Sequence, residues 1–303
     1  MEQVLLGFNL AVLGGDLRNV YLIEELEEQG AFLKVLGLPV SCKPRVLLCN
    51  SLAEAVFNVD AVILPMPGVN NQGKLFAPLS EESYYLTPEI KKSLKEGVLF
   101  IVGFANHYLK QLAADLGVEL VEIAEMDHVA IYNSIPSAEG AIQMAMEMVP
   151  ITIHGSNAFV LGFGRTGQTL ARMLAGIGAQ VYVVARKPRD LARIYEQRFV
   201  PVSFKELDAK ISQADIVFNT VPSLVLPADL LKKLKKDVVV IDLASNPGGV
   251  DFEAAKSLGI QAVLAPGLPG KVAPKTAGKL LAKVLPDLIV KHRKMRGWRD
   301  SDD

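Results

Sequence analysis

The sequence predicts an α/β protein made of two doubly wound parallel-sheet domains, with the chain passing between them along two crossing helices. Three observations predict this. Strand-length apolar runs alternate with helical patterns through both halves, as expected for parallel sheets covered on both faces. One strand–helix junction carries a complete glycine fingerprint, Gly162-Phe163-Gly164-Arg165-Thr166-Gly167. Apolar helical segments at 137–149 and 274–291 stand where one domain gives way to the other. A chain of 303 residues, half of them apolar, suffices for two cores.

In the first domain, residues 9–14 form a buried-type strand ending in Gly14-Gly15-Asp16. A helix follows at 20–29, with Val20, Ile23 and Leu26 setting its apolar face. Strands are expected at Phe32–Leu36, 61–64, 97–103 and 119–123, with helices at 88–95 and 108–116. The only glycine pair at a strand end is Gly14-Gly15, which is not a phosphate fingerprint. Residues 1–136 are therefore expected to form a flavodoxin-like substrate domain, completed by a C-terminal helix at 275–303. Residues 137–274 form the dinucleotide domain.

The segment Ile131-Tyr132-Asn133-Ser134-Ile135-Pro136 leads into the helix at 137–149, whose apolar positions are Ile142, Ala145, Met146 and Val149. Glu139 suits the positive end of that helix. The strand Asn157–Leu161 then runs into the fingerprint, a helix striped by Leu170, Met173, Leu174 and Ile177, and a strand at 180–184. This is the Rossmann βαβ unit. Gly162 permits the tight turn, Gly164 lets the backbone approach a pyrophosphate, and Gly167 lets helix and strand pack closely. The free N–H groups of the helix start favour phosphate, which makes Gly162, Gly164, Arg165, Thr166 and Gly167 expected cofactor contacts.

The second strand of the unit runs into Ala185-Arg186-Lys187-Pro188-Arg189. An acid there would bind the ribose 2′-hydroxyl of NAD. None is present, and a guanidinium can grip a 2′-phosphate with charge-assisted bonds. Ala185 and Arg186 are thus expected to contact NADP; Lys187 and Arg189 read equally as solvated loop charges. The later strands, Ile216–Asn219, 238–243 and 262–264, end in loops that bring Thr220, Val221, Pro222, Leu243, Ala244 and Gly267 to the cofactor. Asp242 either faces the ligand or caps the following turn. The last helix, 274–291, is interrupted at Pro286 and returns the chain to the first domain.

A net charge of −1 gives no field directed at nucleic acid. The basic run from Lys291 to Arg296, followed by the acidic end, reads as a solvated helix end. Cys42 and Cys49 lack a second pair and imply neither zinc nor a disulfide framework, and no metal is expected. With no export signal and no apolar run of spanning length, a cytoplasmic location without membrane contact is expected. The acid–base set of 2-hydroxy-acid dehydrogenases is missing. His154 precedes the first nucleotide-binding strand, Asn246-Pro247 stands where a guanidinium would follow Leu243-Ala244-Ser245, and His107 and His128 read as structural or surface residues. Arg18 and Lys275 are the cations offered to an anionic substrate, each with a surface ion pair as its alternative.

These motifs resemble those of the A subunits of dipicolinate synthase from spore-forming bacteria, over nearly the whole chain. The most specific are Ala130–Pro136 with Glu139-Gly140, Thr152–Ser156, Leu161–Gly167, Asn219–Ser223, Asp242–Ser245 with Pro247–Gly249, and Leu264–Gly270 with Ala273–Gly278. The resemblance implies NADP-linked oxidation of a dihydrodipicolinate-type ring to dipicolinate, a CH–CH oxidoreduction on a branch of the diaminopimelate and lysine pathway in the mother cell of a sporulating bacterium. It also implies a partner, a flavoprotein-like B subunit; a homo-oligomer is left open. Such a reaction moves a hydride to the nicotinamide, releases a proton and makes an aromatic ring, so a tuned general acid is unnecessary. The site must hold a planar dicarboxylate between the domains. Asn133 and Ser134 at the interdomain hinge, Ser245, Arg18 and Lys275 are the side chains expected there. Two alternatives stand beside this reading: another NADP dehydrogenase of a small carboxylic acid, and a catalytically silent NADP-binding regulatory subunit.

Overall fold

The computed structural model describes residues 3–299, with side chains through residue 295. Arg296 in the basic run and the acidic end at 300–303 therefore lie outside the described side chains. The chain divides into two compact units, one of residues 1–130 with 273–303 and one of residues 131–272.

Unit 1 is built from β1 (Asn9–Leu13), α1 (Leu17–Glu28), β2 (Phe32–Leu36), β3 (Val46–Leu48), α2 (Leu52–Val56), β4 (Ala61–Ile63), β5 (Leu99–Val102), α3 (His107–Leu116) and β6 (Glu119–Glu122). All neighbours pair in parallel, in the order β3-β2-β1-β4-β5-β6. The strands are buried on both faces, so their sequences are continuous apolar runs rather than alternating ones. Leu10, Val12, Ala61, Ile63, Leu99 and Ile101 face one core, whereas Ala11, Leu13, Val62, Phe100 and Val102 face the other.

The expectation of a flavodoxin-like sheet is corrected here. Without β3 the order would be that of the five-stranded flavodoxin type; with it, the sheet has the six-stranded order of dinucleotide-binding domains. The strand β3 is three residues long and lies at the edge, with Leu47 and Leu48 exposed, so it carries no buried-strand pattern. The expected helix at 88–95 is a 3-10 segment, Pro88–Ser93, held to the core by Ile90.

The helix α4 (Asp127–Met148) contains the unit boundary. Pro136 predicts a helix start near Ser137, but the helix runs through that proline. Hydroxyls beside it serve nearby carbonyls: Ser134 Oγ donates to Ile131 O (2.7 Å) and Ser137 Oγ to Asn133 O (2.8 Å). The segment 131–136 is therefore helix, not a hinge loop, and the division falls at 130/131 rather than 136/137.

Unit 2 continues with β7 (Asn157–Leu161), α5 (Arg165–Gly176), β8 (Gln180–Ala185), α6 (Pro188–Glu196), β9 (Val200–Ser203), α7 (Leu207–Lys210), β10 (Ile216–Asn219), α8 (Ala228–Leu231), β11 (Val239–Asp242), α9 (Phe252–Leu258), β12 (Gln261–Leu264) and α10 (Leu268–Val272). Its sheet is parallel in the order β12-β11-β10-β7-β8-β9, the same topology as unit 1. The edge strand β9 is a second one that the apolar pattern does not predict; it holds Pro201, which is tolerated only where no ladder hydrogen bond is required of its nitrogen. One core gathers α4 and α5 on the sheet through Ala138, Ala141, Ala145, Leu170 and Leu174. Gly140 admits α10: a Cβ there would stand 3.0 Å from Val272 and 3.2 Å from Leu268.

The chain re-enters unit 1 at Ala273, between α10 and α11 (Pro274–Ala282), two residues earlier than the expected 274/275 boundary. The helix expected over 274–291 is two helices. The break falls at Lys283-Val284, and Pro286 sits in the first turn of α12 (Leu285–Arg299), where its missing N–H costs nothing. Within unit 1, Gly278 lets α11 lie against α1; a Cβ would be 2.6 Å from Arg18 O and 2.9 Å from Leu22 N. Lys279 pairs with Glu25 at 3.1 Å, and His292 joins α12 to the sheet through Glu119 (3.1 Å) and Gly97 O (2.8 Å). Gly278→Val should lower stability by about 1–3 kcal/mol or more in urea unfolding, because backbone atoms cannot yield to the added methyls. Gly176→Ala, where a Cβ meets nothing within 4 Å, should be neutral or stabilising.

Candidate functional site

The site of unit 2 lies along the carboxyl ends of its strands. The fingerprint leaves β7, which stands between β8 and β10 where the strand order reverses. Gly162 has φ +103°, and its N–H donates to Val184 O at 2.9 Å. A Cβ on Gly162 would stand 2.5 Å from Thr220 Oγ1 and 2.9 Å from Val221. A Cβ on Gly167 would collide with Gly162 O. These two glycines are required by the fold.

Gly164 differs. It is the N-cap of α5 with φ −81° and ψ −167°, a conformation open to any residue, and a Cβ there would meet nothing within 4 Å. The N-cap residue makes no side-chain hydrogen bond to α5, whose start is a positive helix end. The helix start of unit 1 is closed by contrast: Asp16 accepts from Arg18 N at 3.1 Å, placing a carboxylate where a phosphate would have to sit. The open cradle of unit 2 fits a dinucleotide pyrophosphate; the capped turn of unit 1 does not.

Around this cradle the loops are tied down. Thr220 Oγ1 donates to Leu161 O (2.9 Å), joining the loop after β10, with Val221 and Pro222, to the fingerprint. Asn219 and Asp242 end their strands as register partners and are fully buried. Asp242 accepts from Asn219 Nδ2 (2.8 Å), Ala244 N (2.9 Å) and Gly249 N (2.7 Å), and Asn219 also binds Val221 N (2.9 Å) and O (3.0 Å). Asp242 thus caps its loop, and this pair fixes the floor beneath Leu243 and Ala244. Sequence reasoning gives Asn219 no role of its own; its signal is a polar residue closing an apolar strand.

At the end of β8, Ala185 is buried and Arg186 is exposed, without a hydrogen bond or ion pair among the described residues. Lys187 is the N-cap of α6, and Arg189 pairs with Asp190 at 3.4 Å. Just after the adjoining β9, Glu206 accepts from Ser203 N (2.9 Å) and Oγ (2.7 Å), and these bonds hold its carboxyl below the usual range. Gly267 (φ +70°) turns the chain after β12 with open space at its Cβ.

The residues expected around the substrate are distributed over both units. In unit 2, Ser134 is 1% exposed, and its hydroxyl is spent on Ile131 O and Thr169 Oγ1 (2.6 Å), linking α4 to the cofactor helix α5. Asn133 is half-buried on α4, and Ser245 is exposed in the loop after β11. In unit 1, Arg18 is buried in a two-pronged pair with Asp16, Nε to Oδ1 and Nη2 to Oδ2, both 2.8 Å. Lys275 is exposed on the first turn of α11, the helix that lies on α1. His154 precedes β7, at the end of that strand opposite to the fingerprint, and His107 and His128 are exposed. Burial pushes the Cys49 thiol up to about 11, with Glu54 adding to the effect, so it stays protonated and inert. Among the described residues no group of three His, Cys, Asp or Glu is placed for a metal, and no helix is long and apolar enough to cross a membrane.

Comparison with known proteins places this geometry in a family. Residues 9–124 match the N-terminal domain of the dipicolinate synthase A subunit, and residues 127–251 match the NAD-binding domain of D-isomer-specific 2-hydroxyacid dehydrogenases. The dipicolinate synthase A subunit of Bacillus subtilis is 40% identical over 97% of this chain and 100% of that protein. The crystal structure of the A subunit from Bacillus halodurans superposes with a TM-score of 0.89 at 40% identity, covering 94% of this chain and 98% of the other. The transhydrogenase of Sinorhizobium meliloti, at 15% identity and a TM-score of 0.69 over 93% of both chains, shares the fold. With a dehydrogenase dinucleotide domain in its second unit and this likeness along its whole length, the chain is an oxidoreductase that belongs to the family of dipicolinate synthase A subunits.

Proposed function

We propose that the protein oxidises dihydrodipicolinate to dipicolinate with NADP, as the A subunit of a sporulation enzyme that works with a second, flavoprotein-like subunit. The full-length likeness to the Bacillus subtilis protein supports the substrate. The exposed, unpartnered Arg186 guanidinium at the end of β8, with no acid beside it on that strand, carries the cofactor assignment. Gly162, Gly164 and the α5 start would hold the pyrophosphate, Arg186 the 2′-phosphate, and the loops bearing Thr220, Val221, Pro222, Leu243, Ala244 and Gly267 the remainder. When bound, the nicotinamide supplies a two-electron hydride acceptor. The chain's own residues have the task of binding and orienting a planar dianion, since the ring proton is lost to form an aromatic product. Arg18, Lys275, Asn133 and Ser245 are the polar groups assigned to that task, with Ser134 holding α4 against α5.

Purified protein given NADP and dihydrodipicolinate should produce pyridine absorbance and NADPH in equal amounts. Turnover with NAD alone would overturn the cofactor assignment. NADP binding without turnover until a second subunit is added would instead make this chain a cofactor-sensing partner.

A further inference from the structure

The β1–α1 turn of unit 1 holds a polar side chain that the fold itself does not use. Asn19 is 3% exposed, on the first turn of α1. Among the described residues its Oδ1 and Nδ2 meet no hydrogen-bond partner, yet no side-chain nitrogen or oxygen sealed from solvent lacks one. The small surface left to Asn19 therefore belongs to its amide. The amide is pressed against Gly15, at φ +113°, where any Cβ would collide with Asn19 Cγ and Oδ1. Next to it, Arg18 is 4% exposed and oriented by Asp16, which takes Nε and Nη2 and leaves Nη1 without a partner among the described residues.

We infer that this turn is a carboxylate-binding site, in which Asn19 Nδ2 and Arg18 Nη1 donate to one carboxylate of the substrate. Asp16 is a positioning residue: it fixes the guanidinium and neutralises part of its charge, so the site selects a carboxylate by directed donors rather than by bulk charge. Gly15 leaves the space in which the amide lies. A phosphate is disfavoured, because the Asp16 carboxylate already occupies the helix start. That the natural ligand is dipicolinate rests on the proposed activity; the site itself does not.

Calorimetry of the full chain with dipicolinate and, separately, with glutarate tests both. The wild type should bind both. Asn19→Leu should weaken each by about 10-fold or more, the loss of one bond to a charged group, and Asn19→Asp should weaken them further by repulsion. The Tm of Asn19→Leu should not fall, since an apolar group of similar shape replaces an unpartnered amide. A Tm lowered by several degrees makes Asn19 a structural residue and overturns the site. Undiminished dipicolinate binding in both variants overturns the site and leaves the substrate reading standing. Glutarate bound through Asn19, with no binding of dipicolinate, keeps the site and removes that reading. Failure of the wild type to bind either compound removes both.

Discussion

Gly164→Val is expected to abolish dinucleotide binding while the protein stays folded. The backbone at Gly164 is extended, with φ −81° and ψ −167°, which suits a β-branched residue. The new side chain would enter space where no protein atom lies within 4 Å. The cost to the α5 cap is on the order of 1 kcal/mol, within the stability of an ordinary domain. That same space is the approach to the α5 N–H groups, so the methyls would stand where the pyrophosphate must come. Gly167→Val should behave differently, because its Cβ collides with Gly162 O and the loss would appear as unfolding. Calorimetric titration with NADP, paired with thermal melting, separates the two. Normal NADP affinity in folded Gly164→Val would reduce the fingerprint to a structural turn.

Arg186→Ala should weaken NADP binding by roughly 10- to 150-fold, the worth of about 1.5–3 kcal/mol for a bond to a charged group, and leave NAD binding nearly unchanged. Arg186 is exposed, so the difference should shrink as salt rises. Among the described residues it makes no hydrogen bond or ion pair that its removal would break, so the Tm should hold. Equal losses for both cofactors would show that Arg186 does not read the 2′-phosphate.

The alternation of strands and helices was legible because buried parallel strands are continuous apolar runs. The run Leu10–Leu13 in unit 1 and the run Ala158, Phe159, Val160 and Leu161 in unit 2 need no tertiary information to be read as strands, since glycine turns follow them. The strands β3 and β9 were not legible. Each is a short edge element, half-exposed, and defined by the neighbour it pairs with rather than by its own pattern. The helical state of 131–136 was hidden for a related reason: Pro136 and the serines around it signal a helix start, and only the hydroxyl–carbonyl bonds of Ser134 and Ser137 show how the helix passes through them.

By itself the sequence determined the α/β class, the dinucleotide fingerprint, the absence of an acid after β8 and the family, because each depends on local pattern or on the order of residue types. The tertiary structure decided which polar residues are occupied. Asp242 and Asn219 serve each other and their loops, Ser134 is spent on Thr169, and Arg18 is forked by Asp16, whereas Arg186 and the amide of Asn19 remain unpartnered among the described residues. A side chain's chemistry is set by its type, but its availability is set by partners brought close by folding, from 23 residues away for Asn219 and Asp242 and 35 for Ser134 and Thr169, and no local pattern encodes them.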